Sequence, residues 1–169
     1  MPTYLRITDI DDYGHFIESD KKSVDDSQNE DYFLNPGDIV FARTGNTTGK
    51  TYLYNPKDGK LVFAGFLIRF APNQKKLIPH YLKAVTETSS YWAWVETNSA
   101  RTGQPGINAN EYKSFKFTIP PIEEQKQIAK ILTTQDKKIQ TEETNLAKLK
   151  ELKKGLMNDL LSGKVRVQL

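Results

Sequence analysis

The chain has no cysteine. This excludes a disulfide framework and a thiolate metal site, and it fits a reducing compartment. Histidine is nearly absent. His15 and His80 stand alone, with no Cys/His/Asp cluster at zinc spacing and no material for a Ser-His-Asp or Cys-His set. Long apolar runs are also missing, and none approaches the length of about eighteen residues that a membrane span needs. Met1 to Ile10 shows no basic region followed by an apolar block, so no secretory signal is expected. These absences describe a soluble cytoplasmic protein without metal or cofactor, and nothing in the chain argues for catalysis.

Breakers are missing where it matters most. Between Pro121 and Gly163 there is no proline, and Gly155 is the only glycine. Through this stretch the positions Ile128, Leu132, Gln135, Ile139, Glu142, Leu146, Leu149, Lys153, Leu156 and Leu160 recur at alternating spacings of four and three. That pattern is a heptad seam, the mark of a long helix that needs a partner helix. At about 1.5 Å per residue it spans roughly 60 Å, longer than a compact domain is wide. Gln135, Glu142 and Lys153 interrupt the seam, as polar residues that fix register do. They also suit a helix that packs on other subunits.

Charge is unevenly distributed over the 169 residues. Residues 1–38 carry ten acids and three bases, and residues 39–122 carry eleven bases and four acids. From Glu123 onward there are ten bases and seven acids. A basic middle behind an acidic front points weakly to a polyanion, and ordinary surface charge would look the same.

The first two thirds read as short strands and turns. Tyr4 to Ile7 alternates like a strand, Asp11-Asp12-Tyr13-Gly14 is a turn, and Lys21 to Asp31 is a polar loop. Asn35-Pro36-Gly37-Asp38 turns the chain into Ile39-Val40-Phe41-Ala42, a buried strand. Tyr52 to Tyr54 and Leu61 to Ala64 flank Asn55-Pro56-Lys57-Asp58-Gly59 and suggest a hairpin. Gly65 to Phe70 continues the β-rich block. A helix opens at Ile78-Pro79, with Leu82, Val85 and the Ser89 to Trp92 stretch as core candidates. Asn98 to Asn110 is a glycine-rich loop, and Tyr112 to Ile119 returns to a strand ended by Pro120-Pro121. The fold class is therefore α+β: a compact mixed α/β domain followed by one long C-terminal helix.

Gly45-Asn46-Thr47-Thr48-Gly49-Lys50-Thr51 imitates a phosphate-binding P-loop. That motif needs four residues between its glycines and a helix after the lysine; here there are three, and the sequence continues as β. The segment makes better sense as a contact loop, although a solvated hairpin tip fits it as well. Arg43, Thr44, Asn46, Thr47, Thr48 and Lys50 are donors framed by glycines. Arg and Lys neutralise phosphates, Arg pairs with guanine, and Asn pairs with adenine. A second segment, Asn98 to Asn108, has the same character, with Arg101, Thr102, Gln104 and Asn108 among glycines. Tyr91-Trp92-Ala93-Trp94-Val95 suits base stacking, and suits a packed core face better. Asp11-Asp12 and Asp25-Asp26 read as surface turns before cation sites. Asn35-Pro36-Gly37-Asp38 lacks the second proline and the aromatic of a cofactor-using methyltransferase motif.

Two longer segments carry a family resemblance. Ile119-Pro120-Pro121-Ile122-Glu123-Glu124-Gln125-Lys126-Gln127-Ile128-Ala129-Lys130-Ile131-Leu132 resembles the start of a conserved helix in Type I restriction–modification specificity subunits. Leu149 to Val167, with Leu160-Leu161-Ser162-Gly163-Lys164, resembles the end of that helix. Gly37-Asp38-Ile39-Val40, Gly49-Lys50 and Gly106-Ile107-Asn108 are similar to parts of the family's target recognition domain.

The resemblance implies a non-catalytic subunit that binds double-stranded DNA and carries methyltransferase and restriction/translocase subunits to it. Full subunits of the family have two recognition domains and two long helices packed antiparallel. Each domain reads one half of a split site, and the helices set the gap. This chain has one domain and one helix, so the resemblance implies a half-subunit. Residues 1–119 would be a recognition domain, shortened at its N-terminus by the family's pattern. Residues 120–163 would be the coiled-coil helix and 164–169 a tail. The expected helix interface is Ile128, Leu132, Gln135, Ile139, Leu146, Leu149, Leu156 and Leu160, paired antiparallel with a second copy or with another half-subunit. The expected DNA contacts are Arg43, Thr44, Asn46, Thr47, Lys50, Arg101, Thr102, Gln104 and Asn108. The competing reading is a coiled-coil assembly protein that binds methyltransferase subunits without reading DNA.

Overall fold

The computed structural model describes residues 1–17, 22–23, 30–63 and 65–167. Asp25-Asp26, most of the Lys21 to Asp31 loop, Ala64 and the last two tail residues lie outside the described residues. The chain divides into two compact units, Met1–Ala129 and Lys130–Leu169.

The first unit is built on two small sheets. Strands β1 (Thr3–Leu5), β2 (Lys22–Ser23) and β5 (Leu61–Phe63) form one, in the order β2-β1-β5. Strands β3 (Ile39–Ala42), β4 (Thr51–Leu53) and β6 (Leu67–Phe70) form the other, in the order β4-β3-β6. β1 runs antiparallel to β2 and parallel to β5, and β3 is antiparallel to both its neighbours.

β3 organises the core because both of its faces are covered. Side chains alternate across a strand, so Val40 and Ala42 share one face and Ile39 and Phe41 the other. Val40 and Ala42 join Leu5, Ile10, Leu34, Tyr52, Leu61 and Leu67 in the main cluster. Ile39 packs with Leu77 and Leu82, flanked by Phe41, Leu53, Tyr81 and Phe117. Phe41 also reaches a third cluster of Tyr91, Val95 and Ile107, lined by Trp94, Tyr112 and Phe115. The helices α1 (Pro79–Val85), α2 (Ser89–Ser99) and α3 (Ala109–Tyr112) supply that second face. Proline occupies the first turn of α1, where its missing N–H costs nothing. Of the helical core candidates, Leu82 and Tyr91 are buried and Val85 half-buried, whereas Ser89, Ser90 and Trp92 are exposed.

Two expectations from the sequence are corrected. Tyr52 to Tyr54 and the strand beginning at Leu61 do not pair as a hairpin: β4 pairs with β3 and β5 with β1, in different sheets. The connector between them is a short 3-10 helix, Pro56–Asp58, capped by the Asn55 side chain, which accepts from the Lys57 N–H. The Tyr52 hydroxyl donates to Asp58 at 2.6 Å and accepts the Asn55 N–H at 3.2 Å, which fixes this crossing. The second correction concerns Tyr112 to Ile119. Tyr112 closes α3, and residues 113–119 form no strand. The alternation of Phe115 and Phe117 reflects ring packing instead: their centroids lie 5.7 Å apart, and each fills a different core cluster.

Helix α4 runs from Ile122 to Leu161. Glu123 and Glu124 lie in its first turn, where acids suit the helix dipole. Gln125 and Ala129, one turn apart, are buried in the first unit. Along the second unit the apolar side chains are open: Leu132, Ile139, Leu146, Leu149, Leu156 and Leu160 are between 41% and 62% exposed in the single chain. Among the described residues no helix is long and apolar enough to cross a membrane.

Candidate nucleic-acid interface

The two glycine-framed loops are neighbours. Thr44 and Gly106 form an antiparallel bridge. The Ile107 N–H donates to the Arg43 carbonyl, and the Gly45 N–H donates to the Pro105 carbonyl, both at 2.9 Å. The Thr48 hydroxyl adds a bond to the Gly45 carbonyl at 2.7 Å and reaches the Pro105 carbonyl at 3.4 Å. A Cβ at Gly106 would lie 3.2 Å from the Arg43 carbonyl, tighter than an ordinary contact, so glycine eases this close backbone approach. The loops therefore form one surface, assembled from segments more than fifty residues apart in the chain.

The base of the first loop is pinned by aromatic hydroxyls. Tyr112 donates to the Ala42 carbonyl and Tyr91 to the Gly49 carbonyl, each at 2.7 Å. Burial pushes both phenols well above their ordinary range, so they stay protonated donors. Loop residues 43–48 are thus held at both ends by side chains from α2 and α3.

Arg43, Asn46, Arg101, Thr102, Gln104 and Asn108 are exposed, whereas Thr44, Thr47 and Lys50 are half-buried. Arg43 lines an open hollow with Asn108, Ala109, Asn110, Glu111 and Ser114. The Asn108 carboxamide oxygen caps α3, accepting from the Asn110 and Glu111 N–H groups at 2.9 and 3.0 Å. Lys50 Nζ pairs with Asp12 at 2.7 Å, and Arg101 pairs with Glu111. The Lys50 ammonium holds the Asp12 carboxyl below the usual carboxylate range, first by its hydrogen bond and then by its charge. Glu111 is likewise lowered, first by the Asn108 N–H and then by Arg101. Among the described residues Arg43 has no carboxylate partner, which leaves it the most available cation of the three.

Three residues of this surface are not among the contacts expected from the sequence. Phe66 is exposed, and its carbonyl accepts the Arg43 N–H at 3.0 Å, placing the turn before β6 beside the loops. A glycine directly before an apolar strand is a turn signal that would have separated Gly65-Phe66 from the strand. Glu111 was legible through Asn108-x-x-Glu111, the spacing of a capping box. Asp12 had no local signal, because its partner lies 38 residues away. Among the described residues no group of acidic or histidine side chains is arranged to hold a metal.

Residues 4–151 match the model of the Type I restriction modification DNA specificity domain. The chain belongs to this family. The specificity domain is similar to several curated relatives. It is 33% identical over 147 residues to the Methanocaldococcus jannaschii protein assigned as the type I restriction enzyme MjaX specificity subunit, covering 82% of this chain and 34% of that one. It is 27% identical over 134 residues to the MjaVIII specificity subunit of the same organism, covering 79% and 30%. It is 26% identical over 133 residues to the StySPI specificity subunit of Salmonella potsdam, covering 76% and 29%. The chain thus spans about a third of the length of the curated relatives it matches.

Solved structures share the fold of the specificity domain. The HsdS subunit from Thermoanaerobacter tengcongensis superposes with a TM-score of 0.63 at 16% identity, over 92% of this chain and 40% of that one. A chain from a structure on complex assembly and conformational transition of the type I R-M system gives 0.68 at 17% identity, over 99% and 44%. The mixed α/β domain and the long helix after it are therefore an architecture already known in solved proteins.

Proposed function

We propose that this chain is a non-catalytic DNA-recognition half of a Type I specificity subunit. In this reading residues 1–119 form the recognition domain, 120–163 the coiled-coil helix and 164–169 the tail. The observation that carries it is the bridge between Thr44 and Gly106, which joins two donor-rich loops into one surface. Arg43, Lys50 and Arg101 would mainly meet phosphates, one of the two arginines would also read a base, and Asn46, Gln104 and Asn108, with the hydroxyls of Thr44, Thr47 and Thr102, would meet base edges or sugars. Asn108 would use its amide N–H₂, since its carboxamide oxygen already caps α3.

The long helix would pair antiparallel with a second copy or with another half-subunit, through the seam from Ile128 to Leu160. The same helix would dock methyltransferase and restriction subunits. The relatives' names support a specificity role, and the exposed leucines support a partnered helix.

The test is duplex-DNA binding across a salt series, with and without a methyltransferase subunit. Affinity that falls steeply with salt supports the reading. Arg101→Ala should lower specific affinity by about 1–3 kcal/mol if Arg101 reads a base. Salt-independent association with methyltransferase alone, and no DNA binding, would favour an assembly protein instead.

A further inference from the structure

Two of the three cations at the candidate interface are already occupied by carboxylates of the same chain. Lys50 Nζ meets Asp12 Oδ1 at 2.7 Å, and Arg101 meets Glu111. Neither carboxylate arrives on a loose segment. Asp12 sits in a closed turn, in which Asp11 Oδ1 accepts the Tyr13 and His15 N–H groups at 2.9 and 2.7 Å. The Ile10–Phe16 bridge closes the base of that turn, and Lys83 Nζ reaches the Tyr13 carbonyl at 3.4 Å. Glu111 is held by the capping box of α3, with Oε2 accepting the Asn108 N–H at 2.7 Å. The two pairs are also alike in placement: a carboxylate on a fixed turn faces a cation on a donor-rich loop. The Asp12 carboxylate is open to solvent while the Lys50 side chain is only 21% exposed.

A carboxylate and a phosphate compete for the same cation. Sequence-independent DNA binding rests on neutralising phosphates and releasing their counterions, and a cation already neutralised in the free protein contributes less to it. We propose that Asp12 and Glu111 act as intramolecular competitors of DNA phosphate for Lys50 and Arg101, and so weaken binding to sequence-unrelated duplex. This inference rests on the DNA-binding reading given above. Asp12 and Glu111 are specificity-tuning residues in this sense: they touch the cations and not the DNA. Arg43, without a carboxylate partner among the described residues, then carries the first electrostatic contact.

The experiment measures binding of the 169-residue chain to a random-sequence duplex over a salt series, for wild type, Asp12→Asn, Glu111→Gln, Lys50→Gln and Asp12→Asn in the Lys50→Gln background. Glutamine at position 111 keeps an acceptor for the Asn108 N–H, and Asp12→Asn changes an exposed side chain, so both variants should fold. Each single variant is expected to bind about two- to fivefold more tightly, the range an exposed ion pair commands. The slope of log affinity against log salt should steepen by about 0.9 for each cation released. Asp12→Asn should have no effect once Lys50 is glutamine. Unchanged or weaker binding by the single variants, while wild type binds with normal salt dependence, overturns the competition and leaves the DNA-binding reading standing. An equal gain in the Lys50→Gln background also overturns it, because the gain then comes from net charge alone. Wild type that fails to bind duplex at low salt overturns the DNA-binding reading itself, and this inference with it.

Discussion

The Gln125 side-chain oxygen accepts the Ile78 N–H at 2.9 Å, tying the first turn of the long helix to the residue that precedes α1. The same side chain donates to the Lys76 and Pro120 carbonyls at 3.0 and 2.8 Å, and it is 1% exposed. One buried carboxamide thus satisfies three main-chain groups from two distant segments. The Pro-Pro-x-Glu-Glu-Gln run then has a physical account. The prolines stop the preceding segment, the glutamates suit the helix N-terminus, and the glutamine ties the first turn of the helix to the segment before α1.

Gln125→Ala should therefore be costly. It leaves the Ile78 N–H and the Lys76 and Pro120 carbonyls without this partner in a partly buried place. Water can reach part of this site, so the loss should be about 1–3 kcal/mol in total rather than the full penalty for each group. Urea denaturation measures it. A change within about 0.5 kcal/mol, ordinary for a surface substitution, would show that Gln125 is not the anchor.

This anchor marks the limit of what the sequence shows. The helix from Ile122 to Leu161 was legible because the proline-free run and the seam are local patterns. β3 was legible because a turn signal precedes four apolar residues. The β4–β5 hairpin was misread because turn chemistry says where a chain bends and not which strand will pair with it. β4 and β5 are separated by a turn, yet β3 and β1 compete successfully for them. The donor-rich loops were legible one at a time, but the Thr44–Gly106 bridge and the Lys50–Asp12 pair are long-range contacts without a local signature.

Alkaline pH should destabilise the protein through its buried tyrosines. Burial is the first cause that raises Tyr52, Tyr91 and Tyr112 above the ordinary phenol value of 10.0. A raised folded-state pKa means the unfolded chain loses its proton first. The stabilising contribution is then fully present below pH 10 and is lost as pH rises beyond it. Each such tyrosine should lower stability by about 1.4 kcal/mol per pH unit above that point. Denaturation at successive pH values should show a steep decline above pH 10, and Tyr91→Phe should make that decline shallower. A flat profile from pH 9 to 11 would contradict the linkage.

The exposed leucines of the second unit make a separate prediction about association. Leu149, Leu152, Leu156, Met157, Leu160 and Leu161, with Lys153 among them, line one largely apolar face of the helix. If that face pairs with another helix, a charge placed in its middle must be desolvated. Leu156→Glu should then convert a dimer to monomer at micromolar concentration, as measured by sedimentation. The unaltered chain sedimenting as a monomer would remove self-pairing and leave another half-subunit as the helix partner.

Gly49 separates the loop's real role from the phosphate-binding motif it imitates. In a P-loop the glycine before lysine lets the backbone wrap a phosphate. Here Gly49 has φ +93°, a conformation that a side chain rarely adopts. A Cβ would also lie 2.6 Å from Val95 Cγ1 and 3.0 Å from Trp92 Cζ3, inside the packing against α2. Its carbonyl accepts the Tyr91 hydroxyl, and its N–H donates to the Ala42 carbonyl. Every one of these demands comes from the fold. Gly49→Ala should thus cost about 2–4 kcal/mol in denaturation, from backbone strain and overpacking together. Under the proposed DNA-binding reading, any loss of DNA affinity should track the unfolded fraction and vanish under strongly folding conditions. A Gly49→Ala protein of normal stability with abolished ligand binding would contradict this account and return the loop to the phosphate-cradling class.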